Sequence, residues 1–248
     1  NYRFGDGTQT NSQLPTPTTL PVGLTAEHIS IGEFSGHHCA ILSDSNAYCW
    51  GYDYPAGVAS PSYNVVPAQV PLDSTVSLVE SSNSHSCAIL SNGSVQCWGN
   101  NYAGQLGIGY TCEYGAGDCQ NEGSTNYLET PVYPLLPFNS VAVGLNLWEQ
   151  NTCVILENTS YYCFGDDWNS PWPIYKKTGI AAASGNVLMH SEQTVEYWSQ
   201  GYDHESQGWI GEIYVRNQAN DSIIDSSYLP DSTKFISFLG NSAYYQWE

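Results

Sequence analysis

Apolar positions in this chain come in short runs, cut by small polar clusters. Ala88-Ile89-Leu90 is followed by Ser91-Asn92-Gly93 and then by Val95 with Cys97-Trp98. Runs this short, bounded by turn residues, predict strands. A three-residue connection with glycine last predicts a bulged hairpin, because that loop position takes a positive φ. Folding the chain about Asn92 sets Cys87 opposite Cys97 and Ile89 opposite Val95. Cysteines directly across an antiparallel pair approach the separation a disulfide needs, so the stretch predicts a stapled hairpin.

The frame recurs. Cys39-Ala-Ile-Leu-Ser-Asp-Ser-Asn-Ala-Tyr-Cys49-Trp50 is a second copy and Cys153-Val-Ile-Leu-Glu-Asn-Thr-Ser-Tyr-Tyr-Cys163-Phe164 a third. Counting back from Trp198 and Trp247 gives two more, in which Val187 with Tyr197 and Ile236 with Gln246 replace the cysteine pair. Hairpins are thus expected near 39–50, 87–98, 153–164, 187–198 and 236–247. Hairpins recurring at roughly 50 residues predict a propeller or array.

Ser84-His-Ser-Cys-Ala-Ile-Leu90, with Val95-Gln-Cys-Trp-Gly-Asn-Asn-Tyr-Ala-Gly-Gln-Leu-Gly-Ile-Gly109, resembles the repeat of the regulator of chromosome condensation superfamily of β-propellers. The resemblance is strong in that copy, moderate from Ile31 to Gly51, and fades through Val141 to Gly165. The last two copies keep only the hairpin and its tryptophan. The resemblance implies four-stranded blades. The expectation is an all-β protein, a β-propeller or open propeller-like array of about five repeats on disulfide-stapled hairpins, forming a single repeat domain over residues 1–248.

The head of the sequence, Asn1-Tyr2-Arg3-Phe4-Gly5-Asp6-Gly7, corresponds to the stretch at Asn101-Tyr-Ala-Gly-Gln-Leu-Gly-Ile-Gly109, and the tail, with Tyr245 and Trp247, stops just before that stretch. Residues 1–24 are therefore expected to complete a split repeat with the C-terminus, either in the same chain or head to tail in the next copy. Asn1, Tyr2, Phe4, Tyr245 and Trp247 are the expected assembly residues. The Pro-rich segment from Gln9 to Leu24 matches the proline-containing crossings Val66-Pro-Ala-Gln-Val-Pro71 and Glu129-Thr-Pro-Val-Tyr-Pro134.

Charge narrows the partners. Five basic residues face 24 acidic ones, a formal net charge of −19. Such a surface repels phosphate backbones, which argues against nucleic acid. No apolar run is long enough to span a bilayer as a helix. Eight cysteines argue for an oxidising compartment. Six sit in the hairpin frame; Cys112 and Cys119 lie in the long insertion after the second hairpin and are expected to pair with each other. The ligand spacings of a structural zinc site are absent. Sequons at Asn92, Asn158 and Asn220 agree with a secreted, N-glycosylated protein, and the Thr-Pro units near the head offer O-glycosylation sites. Asn92 and Asn158 are central residues of equivalent hairpin loops.

Candidate chemistry is sparse. His37-His38 suggests a metal, but neighbours on a strand point to opposite faces; His38 and His85 sit near matching repeat positions, which favours a structural role. Asp166-Asp167 and the acidic stretch from Asp221 to Asp231 offer weak calcium sites, against a default of solvated acidic surface. No nucleophile elbow, zincin helix or EF-hand loop occurs, and no cofactor is expected. Trp168 and Trp172, outside the hairpins, are partner-binding candidates together with the insertion from Tyr110 to Thr130. The preferred reading is a non-enzymatic extracellular structural protein that self-assembles head to tail into a glycosylated fibre or coat. The alternative is a secreted propeller that recognises glycans or an extracellular protein through one face.

Overall fold

The computed structural model describes residues 4–32, 36–52, 63–112, 127–166, 170–184, 187–190, 195–203, 208–213, 216–217, 222–223, 234–239 and 242–246. The described residues are all-β. Three antiparallel four-stranded blades form from β1 (Ala26–Ile31), β2 (His37–Leu42), β3 (Ala47–Tyr52) and β4 (Tyr63–Gln69); from β5 (Val76–Ser81), β6 (His85–Leu90), β7 (Val95–Asn100) and β8 (Tyr127–Val132); and from β9 (Ala142–Trp148), β10 (Asn151–Leu156), β11 (Tyr161–Gly165) and β12 (Ser170–Lys177). They fall in one compact unit, residues 1–157 with 161–176.

The second unit, residues 158–160 with 177–248, holds a fourth four-stranded sheet of β13 (Ile180–Ser184), β14 (Val187–His190), β15 (Val195–Asp203) and β16 (Gly208–Ile213). It also holds two strand pairs, β17 (Arg216–Asn217) with β18 (Ser222–Ile223) and β19 (Lys234–Leu239) with β20 (Ser242–Gln246).

The central hairpins follow the pattern read from the sequence. Cys39 pairs with Cys49, Cys87 with Cys97, Cys153 with Cys163 and Val187 with Tyr197. The first three are disulfides, with Cα atoms 4.1, 4.0 and 4.1 Å apart. The fifth hairpin departs from expectation. Gln246 pairs with Lys234 rather than Ile236, and the register shifts between Phe235 and Ser237. Its closing pair is Leu239 with Ser242, so only two residues connect the strands, and Ile236 is the extra residue of a bulge. The expected register assumed a three-residue loop and no bulge.

Blades are built to stack. The disulfide face of the first blade, Cys39, Ile41, Ala47 and Cys49, packs with Val76, Val79, Ala88, Leu90 and Trp98 of the second. The disulfide face of the second, Cys87, Ile89, Val95 and Cys97, packs in the same way with Ala142, Leu145, Val154, Leu156 and Phe164 of the third. Crossing segments add one apolar residue each ahead of a proline: Leu20, Val70 and Leu136 join successive clusters. The Pro-rich head segment is therefore a crossing, as expected, with Thr19 N–H donating to Gly5 C=O (2.8 Å) just as Leu135 N–H donates to Gly107 C=O (2.8 Å).

Two backbone devices set the spacing. The glycine after each hairpin aromatic, Gly51, Gly99 or Gly165, has φ of +119°, +105° or +121°. A Cβ there would fall 2.2, 2.7 or 2.2 Å from the carbonyl oxygen of Gly36, Ser84 or Gln150, the residue just before the neighbouring strand. At the hairpin tips, Ser45, Gly93 and Thr159 take φ of 60°, 80° and 64°. Their carbonyls accept the N–H groups of Val76, Ala142 and Ile180, at 2.8, 2.8 and 3.2 Å. Left-handed backbone at the tip thus turns one carbonyl towards the strand that opens the next sheet.

Candidate functional site

The residues opposite those strand glycines form polar seams. His37, His85 and Asn151 pair with Gly51, Gly99 and Gly165 and are fully or almost fully buried. His37 Nε2 lies 2.9 Å from Ser86 Oγ of the next blade, and Ser86 Oγ donates to Ser81 Oγ at 3.1 Å. His85 Nε2 lies 2.6 Å from Thr152 Oγ1, again one blade on, and Thr152 donates to the Gln105 carbonyl at 2.7 Å. Since Thr152 spends its proton there, a neutral His85 carries its proton on Nε2; Ser82 Oγ lies 2.8 Å from the bare Nδ1 and 3.0 Å from the Glu149 carbonyl, and its one proton is shared between these two acceptors. Burial holds both imidazoles well below their ordinary pKa, at about 3; for His37 the charges of His38 and His85 add to the effect. These rings are neutral pegs between blades.

A third seam joins β1 to β5. Ser30 Oγ donates to Glu80 Oε2 (2.9 Å) and accepts the Ser81 N–H (2.8 Å), while His28 Nε2 lies 3.1 Å from the Val79 carbonyl and 4.0 Å from Glu80 Oε1. Burial pushes the Glu80 carboxyl up; the Ser30 hydrogen bond and His28 pull it back. The strict repeat partner of His85 is thus His37, not His38, which instead meets the Trp50 ring edge-on at 6.0 Å. Among the described residues no group of His, Cys, Asp or Glu could hold a metal ion.

The first blade presents a stacking face of its own. In the second blade the outward β5 residues Val79 and Ser81 are 0% and 6% exposed, covered by the first blade. Register makes Ile29 and Ile31 their equivalents on β1, and these are 55% and 64% exposed. The head segment meets this blade as a connection from a preceding blade would. A Cβ on Gly5 would lie 2.8 Å from the Trp50 ring, as one on Gly107, in the connection after β7, would lie 2.8 Å from the Phe164 ring of the third blade. Phe4 is half-buried beside it, and its carbonyl accepts from Thr18 Oγ1.

Other expected sites are placed unevenly. Asn92 and Asn158 are exposed at their tips. Cys112 is disulfide-bonded, and its expected partner Cys119 lies outside the described residues. So do Asn1, Tyr2, Asn220, Trp168 and Trp247, most of the Tyr110–Thr130 insertion, Asp167, and the stretch from Asp221 to Asp231 apart from Ser222 and Ile223. Tyr245 and Trp172 are placed by backbone only, on β20 and β12. Sequence reading missed Ser30, Glu80, Ser82, Gln105 and the hydroxyls of Ser86 and Thr152. The signal for the last two was a hydroxyl directly after the buried His or Asn, in His85-Ser86 and Asn151-Thr152.

Residues 76–105, which contain β5 to β7 and the turn that follows, match the regulator of chromosome condensation (RCC1) repeat. No curated protein sequence matches the chain. Yeast RCC1 (Prp20), solved bound to Kap60, superposes with a TM-score of 0.60 at 16% identity over 83% of this chain and 52% of that one. The fold is that of an RCC1-type propeller. Human WBSCR16 gives a TM-score of 0.61 at 15% identity over 76% of this chain and 51% of its own, and Saccharomyces cerevisiae Prp20p, described with its binding to Gsp1p and histones, gives 0.58 at 16% over 76% and 49%. The chain spans about half the length of these three structures. Within this chain the strand glycines, the hairpin aromatics and the apolar faces are what let one blade stack on the next.

Proposed function

We propose that this chain is a non-enzymatic extracellular structural protein whose copies join head to tail, each offering the stacking face of its first blade to a blade of the next. The observation that carries the reading is the uncovered pair Ile29 and Ile31, at positions whose counterparts Val79 and Ser81 are sealed by a neighbouring blade. A face shaped by the repeat suits another copy of the repeat best, and the Gly5 seat on Trp50 supplies the connection such a blade would bring. An exposed apolar sheet face left open is otherwise an aggregation liability. Three buried disulfides suit an extracellular fibre or coat.

Negative-stain electron microscopy of the native protein tests this. Filaments with the chain as repeating unit are expected; isolated single-chain discs at high concentration would overturn the proposal and mean that the chain's own blades cover the face.

A second reading has its own support. Tyr102 and Tyr110, after β7, and Tyr133, Leu135 and Phe138, between β8 and β9, are exposed on either side of the long insertion. Exposed aromatics close together in the sequence suit a protein partner, and the net charge of −19 favours one with a basic surface. Replacing Tyr102 and Tyr110 together by serine would then abolish partner capture and leave assembly intact.

A further inference from the structure

Three hairpin tips share one local architecture. Asp44 Oδ1 accepts the Asn46 N–H (3.1 Å), Asn92 Oδ1 accepts the Ser94 N–H (2.9 Å), and Asn158 Oδ1 accepts the Ser160 N–H (3.0 Å). Each is an Asx turn, in which one side-chain oxygen bridges to the backbone two residues on. Asp44 shows that the turn needs that oxygen and nothing more; its second oxygen accepts the Tyr48 hydroxyl at 2.8 Å. The amide nitrogens of Asn92 and Asn158 are therefore surplus to the turn. Among the described residues neither Nδ2 has a hydrogen-bond partner. Both side chains are exposed, and both asparagines, unlike Asp44, are followed two residues later by serine.

Below each tip the backbone is committed. Gly93 C=O holds Ala142 and Thr159 C=O holds Ile180, while Ser91 and Glu157 N–H donate to Thr75 and Val141 C=O. A substituent on Nδ2 disturbs none of these bonds.

We infer that Asn92 and Asn158 are N-glycosylated, one glycan crowning each of these two hairpins. The inference shares the extracellular premise of the proposed function and is independent of assembly. The donor is an oligosaccharide on a lipid pyrophosphate. Nδ2 bonds to the anomeric carbon and gives up one proton, the bond from that carbon to the pyrophosphate oxygen breaks, and the lipid pyrophosphate leaves with the electron pair. The Ser94 and Ser160 hydroxyls complete the acceptor triplets.

The test is peptide mapping of the native protein after release by peptide N-glycosidase in heavy-oxygen water, which leaves an aspartate bearing the heavy oxygen at each occupied site. Label at both positions is expected; plain asparagine at either overturns the inference for that tip. Asn92→Asp and Asn158→Asp, expressed in a glycosylating secretory host, keep the Asx turn that Asp44 demonstrates. Each should lower the intact mass by one glycan without shifting the melting temperature, and an unchanged glycan mass in either variant would count against that site. Thiol titration of the same native sample separates the premises. Oxidised cysteines with plain asparagines sink the glycan inference alone, whereas free thiols throughout would remove the extracellular reading.

Discussion

At Gly99 the backbone runs at φ +105°, with the space for a Cβ already filled by Ser84 O and His85 Cα. Gly99→Ala combines left-handed strain with a clash against backbone that cannot move aside, and should destabilise the first unit by about 3 kcal/mol in urea unfolding. The opposite case is Ser45, exposed at φ 60° in a loop whose counterpart is Gly93. Ser45→Gly should raise stability by about 0.5–1 kcal/mol, since glycine takes that conformation freely. The buried histidines add a pH dependence. Their folded pKa of about 3 lies below the ordinary 6.5, so between those values the unfolded chain binds protons that the fold refuses. Their contribution is whole above about pH 6.5 and is lost towards pH 3, by up to about 1.4 kcal/mol per pH unit for each ring. Glu80 works the other way, because its raised pKa favours the fold when protonated and that contribution fades as pH rises. Unfolding free energies at about pH 7 and about pH 4 should fall on acidification, and less steeply in His85→Gln.

A single hairpin is too small to be stable alone, and each of the first three adds a covalent staple across residues ten apart in sequence. Because those sulfurs also lie in the core between blades, losing a pair removes both loop constraint and packing. Replacing Cys87 and Cys97 together by alanine should cost about 3 kcal/mol or more, read as a drop in the urea midpoint. The hairpins were legible in the sequence because strand alternation, a turn and a facing cysteine pair are local facts. Register failed at the fifth, where no cysteine pair fixes it and a two-residue loop with a bulge at Ile236 replaces the regular turn. The tip carbonyl that bonds the next sheet was not legible at all, since Ser45 and Thr159 do not advertise a positive φ as Gly93 does.

For the whole molecule, the open face of the first blade makes a direct demand. Under the proposed head-to-tail assembly, Ile31→Asp should stop filament growth while leaving the chain folded, because Ile31 is exposed in the isolated chain. With 24 acidic residues against five basic ones, copies repel each other at low ionic strength. Assembly followed by light scattering should therefore rise as salt is added. A decrease would point instead to ion pairs at the joint.

The sequence by itself determined the repeat, its hairpins, three of its disulfide pairs and the acidic surface, because each is written within a dozen residues or in the composition. Tertiary structure decided what joins one repeat to the next. His37 with Ser86, His85 with Thr152 and Ser30 with Glu80 stand 49, 67 and 50 residues apart. They meet only because stacked sheets bring equivalent registers side by side. The exposure of Ile29 and Ile31 has the same origin: their sequence reads like that of any other blade strand, and only the presence or absence of a neighbouring sheet makes an isoleucine core or surface.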